Sequence, residues 1–125
     1  MKRRAFAATA ALAMVAPAIS FGQNKKGMVV HHVFFWLKDA ADAGKLMEGL
    51  QTLRKIPQVK ELLIGKPAST EMRDVIDNSY NVSELMYFAN AADQDAYQVH
   101  PIHKAFVEQY SSLWTRVVVY DMVVE

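Results

Sequence analysis

The sequence predicts an α+β fold of the ferredoxin-like type, in which a split βαβ arrangement builds one antiparallel sheet with helices on one face. The strand-like and helical segments follow one another in the order β, α, β, loop, β, α, β. The first and last strands are apolar on both faces, although helices can cover only one face of such a sheet. We therefore predict a homodimer in which two sheets face each other and enclose an apolar space, a dimeric α/β barrel.

Residues 1–22 have the features of a secretory signal peptide. Residues 1–4 are basic after the initial methionine, and residues 5–18 are uncharged and rich in Ala, Met, Leu and Val. This apolar stretch is too short to span a bilayer comfortably. Small residues offer several cleavage sites, of which we favour the one after Gly22. Cleavage predicts a secreted or periplasmic protein, and an uncleaved membrane anchor is the alternative.

The predicted mature chain has room for one domain. We expect residues 23–28 to be a flexible lead-in and residues 29–125 to fold. Without Lys2, Arg3 and Arg4, basic residues fall from 14 to 11 against 13 acidic ones, so the net charge changes from +1 to −2. Nucleic acid is therefore not an expected partner. The absence of cysteine excludes disulfides and thiolate metal sites, so packing alone must stabilise a small core.

The first half of the domain is predicted to form a strand, a helix and a second strand. Residues 29–37 are β-branched and aromatic, which is typical of a strand. Asp39 is expected to cap a helix whose apolar residues recur at steps of three and four between Leu46 and Ile56. A proline ends this helix. The second strand is predicted at residues 59–64.

The second half repeats this order after a long connection. Residues 66–79 are polar and predict a loop, and residues 80–88 predict a third strand. Asn90 is expected to cap a short helix, which Pro101 must interrupt because proline lacks the amide donor of a helix interior. A new helix begins there, and residues 116–124 are predicted to be the last strand.

The kink at Pro101 carries the residues best suited to chemistry. His103 is expected in the first turn of the new helix, where free amides and the helix dipole disfavour imidazolium and leave a neutral base. Tyr97 lies about a turn and a half earlier, so its hydroxyl can hydrogen-bond a substrate carbonyl or the imidazole. His31 would point into the space between the sheets if its face is the inward one. The alternative is that His100 and His103 only cap and pack the kinked helix.

Other chemistries have less support. His100 and His103 are spaced as an i, i+3 ligand pair, but Pro101 disrupts the geometry and no third ligand follows, so no metal site is predicted. His31 and His32 alternate to opposite faces of their strand and cannot share a metal. The sequence has no glycine-rich phosphate loop and no cysteine nucleophile, which disfavours phosphoryl transfer and thiol catalysis. No cofactor is predicted.

Three segments carry further information through their motifs and their order. They are residues 31–38 (His-His-Val-Phe-Phe-Trp-Leu-Lys), residues 97–103 with a His-Pro-x-His core, and residues 114–121 (Trp-Thr-Arg-Val-Val-Val-Tyr-Asp). Together they resemble the stress-responsive dimeric α/β-barrel family over nearly the whole mature chain. The resemblance implies a ferredoxin-like fold that dimerises through its sheets. Most members of this family have no established activity.

The plant polyketide cyclase that makes olivetolic acid is similar to this family, and that resemblance implies residue roles. In the cyclase the second histidine of His-Pro-x-His is the base and the preceding tyrosine supports it, which implies those roles for His103 and Tyr97. His31 matches a pocket histidine, whereas a further pocket histidine falls near Val82 in this chain. The side chains predicted to contact a ligand are His31, Val33, Phe35 and Val82.

These observations leave two main functions open. The first is a homodimer that binds a small apolar or aromatic ligand between its sheets without turnover. The second is a cofactor-independent cyclase, isomerase or lyase, in which neutral His103 removes a proton α to a carbonyl while Tyr97 donates to the enolate oxygen. An oxygenase is a third possibility, although no feature of the sequence singles out oxygen chemistry.

Overall fold

The computed structural model describes residues 24–125, so the predicted signal peptide lies outside the described residues. The strands are β1 (Val29–Leu37), β2 (Glu61–Gly65), β3 (Val82–Phe88) and β4 (Trp114–Val123), and the helices are α1 (Ala43–Gln51), α2 (Ala91–Gln98) and α3 (Pro101–Tyr110). The strands form one sheet in the order β2-β3-β1-β4, and all three pairings are antiparallel. The predicted ferredoxin-like fold is confirmed. None of the helices within this range is both long and apolar enough to cross a membrane.

β1 is a central strand and has the predicted limits. It pairs with β3 on one side and β4 on the other. Because side chains alternate along a strand, one set faces the helices and the other set faces away from them. The helix-facing set of β1 is buried and consists of Val29, His31, Val33 and Phe35. We call the opposite side of the sheet the open face; it carries Val30, His32, Phe34 and Trp36 of β1, Leu85 and Tyr87 of β3, and Val118, Tyr120 and Met122 of β4.

α1 forms where the apolar periodicity predicts it. The Asp39 side chain accepts a hydrogen bond from the Ala41 amide, as expected of a cap, but it caps a short 3₁₀ turn that leads into α1. A second 3₁₀ turn, Thr52–Lys55, follows α1. Gly49 allows a close approach to α3, because a Cβ at this position would lie 2.7 Å from the Tyr110 ring. The apolar stripe of this segment, which is fully buried, consists of Leu46, Leu50, Leu53 and Ile56.

The interruption at Pro101 separates α2 from α3, as predicted. The Asn90 side chain accepts a hydrogen bond from the Asp93 amide and caps α2. His100 caps α3, since its Nδ1 accepts a hydrogen bond from the Ile102 amide at 3.1 Å. Pro101 occupies the first helical position, where its missing amide hydrogen costs nothing.

The predicted loop and lead-in also have defined contacts. The connection between β2 and β3 contains no helix or strand, and its end is attached to β1, because the Leu37 amide donates to the Asn81 side chain at 2.7 Å. At the start of the chain, Gly27 donates a backbone hydrogen bond to Val124, and the Val124 amide donates to Met28. The described part of the lead-in is therefore joined to the end of β4 from Gly27 onward.

Candidate functional site

A half-open cleft lies between the sheet and the α2–α3 corner, beside β4. Its volume is about 120 Å³, which is comparable with the apolar cavity of about 150 Å³ that binds benzene in an engineered protein. The apolar part of its wall consists of Val33, Phe35, Phe106, Val107, Trp114, Val117 and Val119. The side chains in its wall that are able to exchange protons are His31, Glu84, Tyr97 and His103.

His103 lies in the first turn of α3, as predicted, and its side chain lines the cleft. Its Nδ1 is 3.1 Å from the Gln98 carbonyl oxygen. A carbonyl oxygen only accepts, so Nδ1 carries the proton and Nε2 keeps its lone pair in the neutral ring. Burial lowers the pKa of His103 and nearby His31 lowers it further, whereas the hydrogen bond to Gln98 raises it. The side chain is therefore a neutral imidazole with a basic nitrogen at Nε2.

Tyr97 is buried at the centre of these polar groups. Its ring centroid lies 4.6 Å from that of His103, 5.9 Å from that of His31 and 5.1 Å from that of Phe88. These contacts hold the ring in one orientation. Burial, and then the neighbouring Glu84 carboxyl, raise the pKa of Tyr97 above its ordinary range. Its hydroxyl therefore stays protonated and is a hydrogen-bond donor.

His31 has an acidic partner that the sequence alone did not identify. Its Nδ1 lies 2.6 Å from Oδ1 of Asp121, which stands directly opposite on β4. The Gln94 amide also donates to this oxygen, at 3.2 Å. In the neutral form of His31 the carboxylate holds the proton on Nδ1, which leaves the lone pair on Nε2. His31 and His103 thus have the same tautomer, each held by an oxygen acceptor.

Glu84 is the second site residue that sequence reasoning missed. It lies on β3 opposite Val33 and is only 3% exposed. Its Oε1 has no hydrogen-bond partner within residues 24–125. Burial raises the pKa of this carboxyl to about 8. A signal was present, because Glu84 occupies a helix-facing position between the apolar residues Val82 and Met86.

The side chains predicted to contact a ligand between two sheets lie on the helix-facing side of the sheet instead. His31, Val33 and Phe35 all line the cleft. They face the helices because they share the buried period-two set of β1. Val82 does not line this cleft; it is fully buried in the core opposite Phe35.

The structure also shows which of His100 and His103 caps a helix and which lines the cleft. The His100 ring caps α3 through Nδ1, which is the structural role considered for it. His103 combines a structural contact with a position at the cleft, since one nitrogen bonds to the backbone while the ring lines the cleft. Within residues 24–125, no three His, Asp or Glu side chains are grouped so as to hold a metal ion.

A four-stranded antiparallel sheet with a cleft of this kind under its helices defines a small ferredoxin-like α+β domain. Residues 29–124 match the model of the stress responsive A/B barrel domain, Dabb, and the chain belongs to this family. The family assignment made from the three sequence motifs is confirmed. No curated protein sequence matches the chain.

Several solved structures are similar to this fold. A Dabb family protein with a ferredoxin-like fold from Mesorhizobium loti is 26% identical, with a TM-score of 0.65, and the match covers 80% of this chain and 99% of that chain. A dimeric ferredoxin-like protein of unknown function from Jannaschia sp. is 25% identical, with a TM-score of 0.64 and coverage of 78% and 100%. The hydroxynitrile lyase of Passiflora edulis is 19% identical, with a TM-score of 0.67 and coverage of 80% and 95%, a likeness of fold alone.

Proposed function

We propose that the protein is an exported homodimer whose subunits each bind a small apolar or aromatic ligand in the cleft. The observation that carries this proposal is the cleft itself, in which aliphatic and aromatic side chains surround four proton-exchanging groups. Binding sites for small molecules are typically concave and mostly apolar, with a few placed polar groups that fix the ligand's orientation. The volume of about 120 Å³ suits a ligand no larger than a single substituted ring.

A second copy of the chain is the proposed cover of the open face. Tyr120 is 66% exposed there and Met122 is 55% exposed, and both belong to edge strand β4. The aromatic rings on this side of the sheet pack on each other. The ring centroid of Phe34 lies 5.0 Å from that of Tyr80, which precedes β3, and 6.0 Å from that of Tyr120. A large exposed apolar patch on a sheet favours association, and the similar Jannaschia protein is described as dimeric.

Export is proposed from the leader alone. The basic start and the short apolar stretch are those of a cleaved signal peptide. Protein recovered from the cell envelope or medium of the native host is expected to begin at Gln23. A chain found uncleaved in the membrane fraction would contradict this part of the proposal.

Ligand binding can be tested at the mouth of the cleft. Fluorobenzene is a suitable probe, because its ¹⁹F signal shifts and broadens when it binds. Val119 and Val123 occupy the helix-facing side of β4 and are 45% and 52% exposed, but only Val119 lines the cleft. We expect Val119→Trp to abolish fluorobenzene binding and Val123→Trp to preserve it. Equal binding by both variants would contradict the proposed site.

A second candidate function, general-base catalysis on the bound ligand, is supported by the tautomer of His103. The Gln98 carbonyl holds the proton on Nδ1 and leaves Nε2 as a base on a ring that lines the cleft. The proposed reaction removes a proton from a carbon acid, as in an isomerase, cyclase or lyase.

The two candidates differ in one measurement, the exchange of the methyl protons of acetophenone in D2O. Catalysis predicts faster exchange in the presence of the protein and a loss of this acceleration in His103→Gln. His100→Asn is the matched control, because asparagine retains the ability to cap α3 and His100 does not line the cleft. Binding without any acceleration of exchange would leave the ligand-binding function alone.

A further inference from the structure

We propose that Glu84 is the proton donor of the cleft, a neutral carboxylic acid that hydrogen-bonds the carbonyl oxygen of the substrate and protonates it as a base removes a proton from the neighbouring carbon. This inference rests on the proposed general-base function, and it specifies that function's substrate class as small aromatic or apolar carbonyl compounds. It also assigns the role of acid to Glu84, on the sheet, and not to Tyr97.

The position of Glu84 has no explanation in packing. Its carboxyl is in the middle of the sheet, on a strand between β1 and β2, and faces the helices. Oε1 has no hydrogen-bond partner in the described chain. An unsatisfied buried polar group lowers stability, and a valine or leucine would fit the apolar pattern of β3. Residues that break a local rule at a cost in stability are expected at functional sites.

The surroundings of Glu84 favour its protonated form. The titratable groups of the cleft on the elements around it are His31 on β1, Tyr97 on α2 and His103 on α3, and Asp121 on β4 lies behind His31. Burial is the cause of the raised pKa of Glu84, about 8, so the carboxyl is mainly protonated at neutral pH. A protonated carboxyl is both a hydrogen-bond donor and an acid.

Glu84 is a stronger acid than Tyr97 in this site. Burial raises the pKa of both groups, but that of Tyr97 rises from a much higher starting value and is raised further by Glu84 itself. An acid with a pKa near the working pH transfers its proton most effectively. Tyr97 therefore contributes a hydrogen bond, and Glu84 supplies the proton.

The proposed step conserves protons and electrons. Nε2 of His103 takes a proton from the carbon next to the carbonyl, and the electron pair of that C–H bond becomes the carbon–carbon π bond of an enol. The carbonyl π electrons take the proton of Glu84 as its O–H bond breaks. The products are the enol, the Glu84 carboxylate and the His103 imidazolium. Proton return in the opposite sense regenerates both residues.

Three probes with one carbon skeleton test this inference. Acetophenone has the carbonyl, ethylbenzene lacks it, and 1-phenylethylamine carries a cation in its place. Binding is measured by ligand-observed NMR, and the exchange of acetophenone methyl protons in D2O is followed with the mature protein. Glu84→Gln keeps a hydrogen-bond donor but has no proton to transfer. Glu84→Val removes both properties, and Glu48→Gln on the exposed side of α1 is the control.

The expected results distinguish the two properties of the Glu84 carboxyl, hydrogen-bond donation and proton transfer. Glu84→Gln binds acetophenone within about 3-fold of the wild type, because one neutral donor replaces another of similar strength. Its exchange rate falls about 100-fold, at the lower end of what a general acid contributes. Glu84→Val weakens acetophenone binding about 5-fold, the equivalent of one net hydrogen bond, and leaves ethylbenzene binding unchanged. Glu48→Gln behaves as the wild type.

Contrary outcomes identify which idea fails. Exchange that persists at the wild-type rate in both Glu84 variants would overturn the role of Glu84 and leave the general-base function standing. Tighter binding of 1-phenylethylamine than of acetophenone would show a carboxylate that receives cations, and it would overturn the carbonyl substrate class. A wild-type protein that binds neither acetophenone nor ethylbenzene would overturn the proposed function together with this inference.

Discussion

The two faces of the sheet depart from the usual arrangement, in which buried side chains are apolar and exposed side chains are polar. The face under the helices is largely buried along β1 and β3, yet it holds His31 and Glu84, the buried polar or charged side chains of the described chain. The open face is accessible to water, yet it carries aromatic and aliphatic side chains such as Phe34, Tyr120 and Met122. Buried polar groups suit chemistry, whereas exposed apolar groups suit assembly. We therefore propose ligand binding on the helix-facing side of the sheet and dimer formation on the open face.

The largest expected difference between the faces is in the pH dependence of the free energy of unfolding, because the helix-facing side contains Glu84. The folded-state pKa of Glu84, about 8, is raised above its unfolded value of 4.5. Between these values only the folded state holds the proton, so this group lowers stability as pH rises, by about 1.4 kcal/mol per pH unit. The Glu84→Val variant has no carboxyl at this position, so its stability does not fall with pH for this reason. Urea unfolding at pH 5, 6, 7 and 8 is therefore expected to show a stability gain over the wild type that grows steadily with pH.

The control for this experiment is Glu48→Gln, an exposed carboxyl on α1. Its difference from the wild type should stay within about 0.5 kcal/mol at every pH, as is usual for surface substitutions. A gain for Glu84→Val that did not change with pH would mean that Glu84 is already ionised in the folded protein.

A charge on the open face is expected to break the dimer. Tyr120→Glu places a carboxylate at a position that is 66% exposed in the single chain. If a second sheet covers this face, two such charges are buried without partners, and the dimer dissociation constant should rise at least about 100-fold. Analytical ultracentrifugation over a range of concentrations measures the effect. Gln109→Glu on the exposed surface of α3 should leave association unchanged.

The link between His31 and Asp121 is expected to have the smallest effect. Asp121 is 48% exposed, so solvent screens part of its attraction for the imidazole. Asp121→Asn should lower the free energy of unfolding by about 1 kcal/mol, as for one hydrogen bond of moderate strength. Asp95→Asn, on the exposed side of α2, is the matched control and should change stability little. Equal effects of the two substitutions would show that the short contact contributes nothing in solution.

Much of the fold followed from local signals in the sequence. The limits of β1, the cap at Asn90 and the break at Pro101 depend on neighbouring residues alone, and the structure agrees with each of them. Asp39 is also a cap, although of the 3₁₀ turn that leads into α1. The proximity of His103 and Tyr97 followed from the geometry of that break.

The rest depended on information that is not local. Both faces of β1 are apolar, so alternation alone could not show which face the helices cover, and the ligand contacts were expected between the sheets. The pairing of His31 with Asp121 requires the register of β1 against β4. Glu84 was missed although it interrupts the apolar alternation of β3, because the sequence does not show that it shares a cleft with His31, Tyr97 and His103.

A crystal structure of the mature protein with acetophenone tests the division between the two faces most directly. We expect two sheets packed open face to open face, with one acetophenone molecule in each cleft and its oxygen within hydrogen-bond distance of the Glu84 carboxyl. Acetophenone lying between the two sheets, or a protein that stays monomeric with its open face in solvent, would show that the two faces do not have these separate roles.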